Sequence, residues 1–178
     1  MIKSEFRRFF LNLRREMDVE EIEEISDKIF DKLIEKDLYK KAKTIFVYVA
    51  MDKEIQTQKI IEKALADGKE VYVPFIENSK MFANRLLNVD DLEEGKFSIK
   101  TSYSGINIKD PDLTLTPGLS FDRNKNRLGY GGGFYDSFLK NSKTTSLGLF
   151  AKVFESKNLP TEDHDIKLDY ILTEEEFI

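Results

Sequence analysis

Residues 44–50, TIFVYVA, are apolar almost without interruption and rich in β-branched and aromatic side chains, the pattern of a strand buried on both faces of a sheet. A helical pattern follows at 57–67, closed by Gly68, and a second strand pattern at 70–75. A strand, a helix and a strand in that order leave the two strands parallel and the crossover right-handed. The rest of the chain extends this unit. Asp18 followed by Glu21 has the form of a capping box and predicts a helix running to about residue 36. Segments 113–117, 145–151 and 168–173 read as further strands and 134–140 as a short helix. The middle predicts a strand at 81–87, a helical turn at 89–94 and a loop at 98–111, where Ser, Gly, Asn and Pro gather. The alternation predicts an α/β fold, a single-domain three-layer α/β/α sandwich over 1–178 with a mostly parallel central sheet. Strand order is left open by the pattern.

Composition removes several classes of function. With no Cys the chain has no disulfide, thiolate metal site or Cys nucleophile, and a single His excludes a His-rich zinc site. A net charge of -5 gives no general positive surface for nucleic acid. Residues 1–15 mix Phe with Lys and Arg and lack the unbroken apolar stretch of a signal peptide or membrane span. The expectation is a cytoplasmic monomer that binds small molecules, with no nucleic-acid or membrane partner.

Two segments carry chemistry. Phe6, Phe9, Phe10, Leu13 and Met17 recur at helical spacing, while Lys3, Arg7 and Arg14 project within about 40° of one another on another face. That basic face suits a polyphosphate, or is simply the solvated side of a surface helix. The second segment is 116–139, TPGLSFDRNKNRLGYGGGFYDSFL, in which Gly129, Gly131, Gly132 and Gly133 fall within five residues ahead of a helix. Such a loop lets backbone N–H groups approach a phosphate, or is only a tight turn. It is neither a P-loop nor a dinucleotide fingerprint: no Lys-Ser or Lys-Thr follows at the right spacing, and position 134 is Phe. Arg127 and Asp136 flank it with a cation suited to phosphate and a carboxylate suited to Mg²⁺. Taken alone, Glu54 reads as a first-turn helix carboxylate, Tyr135 as core packing and Asp165 beside His164 as a solvated loop pair.

The same segment resembles the signature of 5-formyltetrahydrofolate cyclo-ligases, P-G-L-x-F-D followed by R-L-G-x-G-x-G-[YF]-Y-D, here Pro117 to Asp122 and Arg127 to Asp136. The likeness extends to MDKEIQT, EVYVPF and LPTEDHDIKLDYIL. It implies an ATP- and Mg²⁺-dependent ligase acting on 5-formyltetrahydrofolate. By the resemblance, Lys3 and Arg7 contact ATP phosphates, and Arg127, Leu128, Gly129, Tyr130, Gly131, Gly132, Gly133, Phe134 and Tyr135 form the ATP loop. Val49, Met51, Glu54 and the stretch from Tyr130 to Tyr135 line the folate site, and Asp136 and Asp165 hold Mg²⁺. Phe134 stands where Tyr is usual and Ser137 where Arg is common. The implied reaction has the formyl oxygen attack the γ-phosphate, after which N10 closes the ring and phosphate leaves. Arg127, Lys3 and Arg7 stabilise the transferred group. A binding protein without turnover and a phosphosugar enzyme on a similar scaffold are the competing classes.

Overall fold

The computed structural model describes residues 1–178. Its helices are α1 (Lys3–Glu16), α2 (Val19–Glu35), α3 (Asp37–Lys41), α4 (Gln58–Ala66) and α5 (Phe134–Lys140). Its strands are β1 (Thr44–Val47), β2 (Glu70–Glu77), β3 (Lys80–Leu86), β4 (Glu93–Glu94), β5 (Lys100–Thr101), β6 (Asn107–Ile108), β7 (Leu113–Thr116), β8 (Ser120–Phe121), β9 (Arg127–Leu128), β10 (Thr145–Leu149) and β11 (Tyr170–Leu172). The main sheet has the order β11-β10-β7-β1-β2-β3-β6. Pairing is parallel from β11 to β2 and antiparallel from β2 through β3 to β6. Ile45 lies opposite both Val71 and Leu113, so the strand–helix–strand unit seats β1 at the centre.

Burial on both faces follows from the apolar runs. On one face Ile45, Val47, Val71, Val73, Leu113 and Leu147 pack in a core that includes Phe10 of α1, Ile29 and Leu33 of α2 and Ile60 and Ile61 of α4. On the other, Phe46 and Tyr72 meet Tyr135 and Phe138 of α5, and Phe121 packs with Phe150 beside Leu139. Helices therefore cover both sides of the sheet, as the alternation predicts.

The departures have local causes. Residues 78–79, Asn and Ser, both adopt positive φ (49° and 60°) and close a tight β2–β3 hairpin without the glycine that usually announces one. The predicted loop at 98–111 contains β5 and β6, each two residues long and too short to leave a period. The expected capping box at Asp18 does not form: Asp18 is the N-cap of α2, but its side chain makes no cap hydrogen bond. β1 ends at Val47, earlier than predicted, because its next polar groups turn to side chains. The Thr57 hydroxyl donates to the Tyr48 carbonyl (2.7 Å) and accepts from the Ala50 N–H (3.1 Å), while the Tyr48 hydroxyl donates to the Ile55 carbonyl (2.7 Å). This curl carries residues 48–55 over the C-terminal end of the sheet.

Candidate active site

A cavity of about 660 Å³ opens at that end, within the range of sites for small ligands. It lies outside the carboxyl ends of the strands, where open α/β sheets bind ligands. Every site residue expected from the sequence lines it, from Lys3, Arg7, Val49, Met51 and Glu54 through Arg127 to Asp136 and Asp165.

The loop between β7 and the glycines is built around a buried carboxylate. Asp122 accepts hydrogen bonds from the backbone N–H groups of Asn124 (2.9 Å), Asn126 (3.1 Å) and Leu159 (3.1 Å) and from the Asn126 side chain (2.9 Å). The turn at 122–126 is thereby fixed, and β8 pairs with β9, Phe121 opposite Arg127. The glycine of the P-G-L element has a steric reason: a Cβ on Gly118 would lie 2.8 Å from Phe150 and 3.1 Å from Arg127 Cγ. Gly118→Ala should lower stability by about 1–3 kcal/mol through overpacking, and it should raise the KM of whichever ligand Arg127 serves. Thermal melting and steady-state kinetics on one preparation test both. In the glycine loop Gly131 has φ +106°, a conformation that a side chain would strain.

Helix α1 is fastened across this loop. Arg7 Nε donates to the Gly129 carbonyl (2.9 Å). Arg14 is buried, correcting any reading of the whole basic face as solvated. Its guanidinium donates to the Tyr130 hydroxyl and to the Gly118 carbonyl, each at 2.5 Å. Lys3 lies 2.6 Å from Asp165 and 3.0 Å from Glu162. Burial works against its charge, but those partners outweigh burial and hold its pKa above the ordinary lysine value. Asp165 is lowered correspondingly: burial alone would raise it, but the hydrogen bonds from Lys3 and from the Glu162 N–H, with the Lys3 charge, together outweigh burial. The sequence placed Lys3 with phosphate and Asp165 with metal, and the fold brings the two together.

Arg127 is equally engaged. Its guanidinium donates to the Pro117 carbonyl (3.1 Å), lies 3.4 Å from Asp136 and stacks over the Tyr135 ring at 5.5 Å, and its Nε is buried without a partner. Asp136 also accepts from the Ile166 N–H (3.1 Å), which ties α5 to the residue after Asp165. Glu162, His164 and Asp165 offer donor atoms within 4.8 Å of one another, though Glu162 and His164 are exposed. Asp136 and Asp165, two carboxylates on tied segments that line the same cavity as Lys3 and Arg7, are the ligand type that Mg²⁺ takes, and the His164 nitrogen is not.

Glu54 is the most perturbed carboxylate. It is buried in the β1–α4 loop, and α4 has Thr57 as its N-cap with no acid in its first turn, which overturns the reading of Glu54 as a helix-capping group. Burial pushes its pKa up to about 7, against the Arg14 charge and a hydrogen bond with Tyr130. Tyr48, Tyr130 and Tyr135 nearby all have hydroxyls raised above the ordinary tyrosine value, by burial first and the Glu54 charge second.

One wall was not legible. Pro74, in the EVYVPF element, is joined there by Ile76, Met81, Phe97 and Ile99, an apolar side that no motif marks. Phe97 is exposed, holds a left-handed backbone (φ 58°) and stands 6.0 Å from the Phe134 ring. A large aromatic residue inside a polar loop was the one available signal.

The 5-formyltetrahydrofolate cyclo-ligase family model matches residues 1–174. A probable 5-formyltetrahydrofolate cyclo-ligase of Caenorhabditis elegans is 30% identical, over 99% of this chain and 95% of its own length. The 5-formyltetrahydrofolate cyclo-ligase of Haemophilus influenzae is 33% identical, over 75% of this chain and 76% of its own. Among solved structures, the NMR structure of Aquifex aeolicus 5,10-methenyltetrahydrofolate synthetase superposes with a TM-score of 0.90 at 29% identity, covering 99% of this chain and 92% of that one.

Proposed function

Because the chain belongs to the 5-formyltetrahydrofolate cyclo-ligase family, we propose that it converts 5-formyltetrahydrofolate and ATP to 5,10-methenyltetrahydrofolate, ADP and phosphate in this cavity. The observation that carries the reading is the convergence on one space of suitable volume of every residue that the resemblance assigns to the site. The formyl oxygen, a poor leaving group, takes the γ-phosphoryl group and becomes a phosphate ester. N10 then attacks the formyl carbon, and phosphate departs as the ring closes. No protein nucleophile enters these steps.

The residues divide the work by chemistry. Lys3, Arg7 and the N–H groups of the loop formed by Leu128, Gly129, Tyr130, Gly131, Gly132 and Gly133 receive the phosphates. Arg127 holds Asp136 and the loop in register and adds positive charge beside the transferred group. Asp136 and Asp165 would hold Mg²⁺, which supplies charge neutralisation on the phosphoryl oxygens when bound. Glu54 receives the 2-amino and N3–H donors of the pterin, two coplanar donors that only a carboxylate can accept together. Val49, Met51, Phe134 and Tyr135 line the remainder of the folate space. We assign the activity to a single-domain monomer in the cytoplasm; no helix is long and apolar enough to cross a membrane.

Calorimetric titration with ATP, 5-formyltetrahydrofolate and ribose 5-phosphate, followed by an absorbance assay for methenyl product, tests the reading. Binding of the first two with product formation is expected, while binding without product, or of the sugar phosphate alone, would replace it. A second test concerns α1. Arg7→Ala should raise the KM for ATP about 10-fold or more and leave that for folate nearly unchanged, since a charge-assisted phosphate contact is worth about 1.5–3 kcal/mol. Equal changes in both constants would make Arg7 a clamp on Gly129 and nothing more.

A further inference from the structure

Arg14 is set apart from the other cations of α1 by burial and by what it touches. Its two terminal nitrogens are committed to the Tyr130 hydroxyl and the Gly118 carbonyl, each at 2.5 Å. Its guanidinium also rests 5.8 Å from the Tyr130 ring centre and 5.4 Å from that of Phe154. Because the Tyr130 oxygen accepts from Arg14, the Tyr130 proton is free to point away, and Glu54 is the carboxylate that shares this cavity wall with both residues. Guanidinium, phenol and carboxylate thus stand in series, from α1 through the glycine loop to the β1–α4 loop, at the cavity wall.

We propose that Arg14 is a positioning residue for folate: through the Tyr130 hydroxyl it supplies the counter-charge that lets Glu54 meet the pterin's two donors as a carboxylate. The inference rests on the assignment of Glu54 to the pterin made above. Its physical basis is the competition at Glu54. Burial favours the protonated acid, which offers a hydroxyl where the ligand also presents a donor, and Arg14 is the foremost influence opposing it. Around Glu54 the other titratable groups do not supply a counter-charge. Tyr48 just past β1, Tyr130 from the glycine loop and Tyr135 from the first turn of α5 are neutral phenols, and burial keeps them so. Asp52 is an anion on the same loop, and Lys53 is directed to the Arg15 carbonyl (2.5 Å). Arg127, which faces Tyr135, is paired with Asp136.

The test is the affinity for 5-formyltetrahydrofolate as a function of pH, from 5.5 to 9, with ATP affinity in parallel, on the parent chain and on Arg14→Gln, Arg14→Lys and Tyr130→Phe. The parent should lose folate affinity on the acid side. In Arg14→Gln that acid limb should move upward by about one pH unit or more, with affinity recovered at pH 9 and ATP binding unchanged. Arg14→Lys, which keeps the charge, should return the limb towards its original position. Tyr130→Phe removes only the bridging hydroxyl and should also move the limb upward, so a test remains if Arg14→Gln does not fold. A limb that stays in place in the variants, or affinity lost equally at every pH and for both ligands, overturns the proposal and leaves Arg14 a brace. Failure of the parent to bind 5-formyltetrahydrofolate at all would overturn the assignment of the cavity instead.

Discussion

At pH 8 the Glu54→Gln protein should melt at a higher temperature than the parent and yet bind 5-formyltetrahydrofolate about 10- to 150-fold more weakly. The two effects share one origin. In the folded chain burial raises the Glu54 pKa to about 7, from 4.5. The folded state therefore binds the proton more tightly than the unfolded state does. Below pH 4.5 both states are protonated and there is no penalty. Between 4.5 and 7 stability falls as pH rises, and above 7 the full penalty, on the order of 3 kcal/mol, is in place. Glutamine mimics the neutral acid and is spared that loss, so the parent and the variant should converge in stability near pH 4 and separate above pH 7. Binding moves the other way, because glutamine has a single acceptor and sets an NH₂ group against a donor edge, at about 1.5–3 kcal/mol. Melting curves at pH 5 and 8 with calorimetry for both ligands decide it. A variant less stable at pH 8 would overturn the burial penalty, and one that binds folate normally would remove Glu54 from the recognition of the pterin.

Asp136→Asn should reduce turnover more than tenfold and raise the Mg²⁺ concentration needed for half-maximal rate. Asparagine keeps the size and the acceptor for the Ile166 N–H but loses the charge that faces Arg127. A metal held by carboxylates and phosphates is weakened directly by that loss. Melting temperature should fall by a few degrees as well, since the buried Arg127 loses the carboxylate it is paired with. The metal dependence separates catalysis from folding. An unchanged Mg²⁺ requirement in a slower enzyme would mean that Asp136 works only as the partner of Arg127.

The parts of this molecule that could be read from sequence are those in which local pattern and tertiary position agree. The run 44–50 and the helical stretch after it imposed parallel pairing because consecutive apolar residues leave a strand nowhere to go but a covered sheet. The glycines, Arg127 and Asp136 were legible because close backbone approach and charge are written in residue type. The β2–β3 hairpin was not announced, since Asn78 and Ser79 adopt positive φ without a glycine. The apolar wall at Pro74, Ile76, Met81, Phe97 and Ile99 is assembled from two separate segments, and a pattern within either cannot show it. The spacing of α1 grouped Lys3, Arg7 and Arg14 alike, yet the tertiary fold buried only the last, because Arg14 faces Gly118 and Tyr130 where the loop closes on the helix.

The fastening of α1 across the glycine loop also has a consequence for the order of events as the chain is made. Arg14 meets a carbonyl 104 residues downstream, and Lys3 meets a carboxylate 162 residues downstream. Closing loops of that length comes late in folding, after local elements have formed. A chain emerging from the ribosome has synthesised α1 first, but α1 finds its partners only when residue 165 is clear of the exit tunnel. Until Phe154 has also emerged, Phe10 lacks the ring it packs against, which leaves an amphipathic surface of the kind that holdase chaperones engage. Function should therefore appear abruptly at the end of synthesis, with no partially active nascent form.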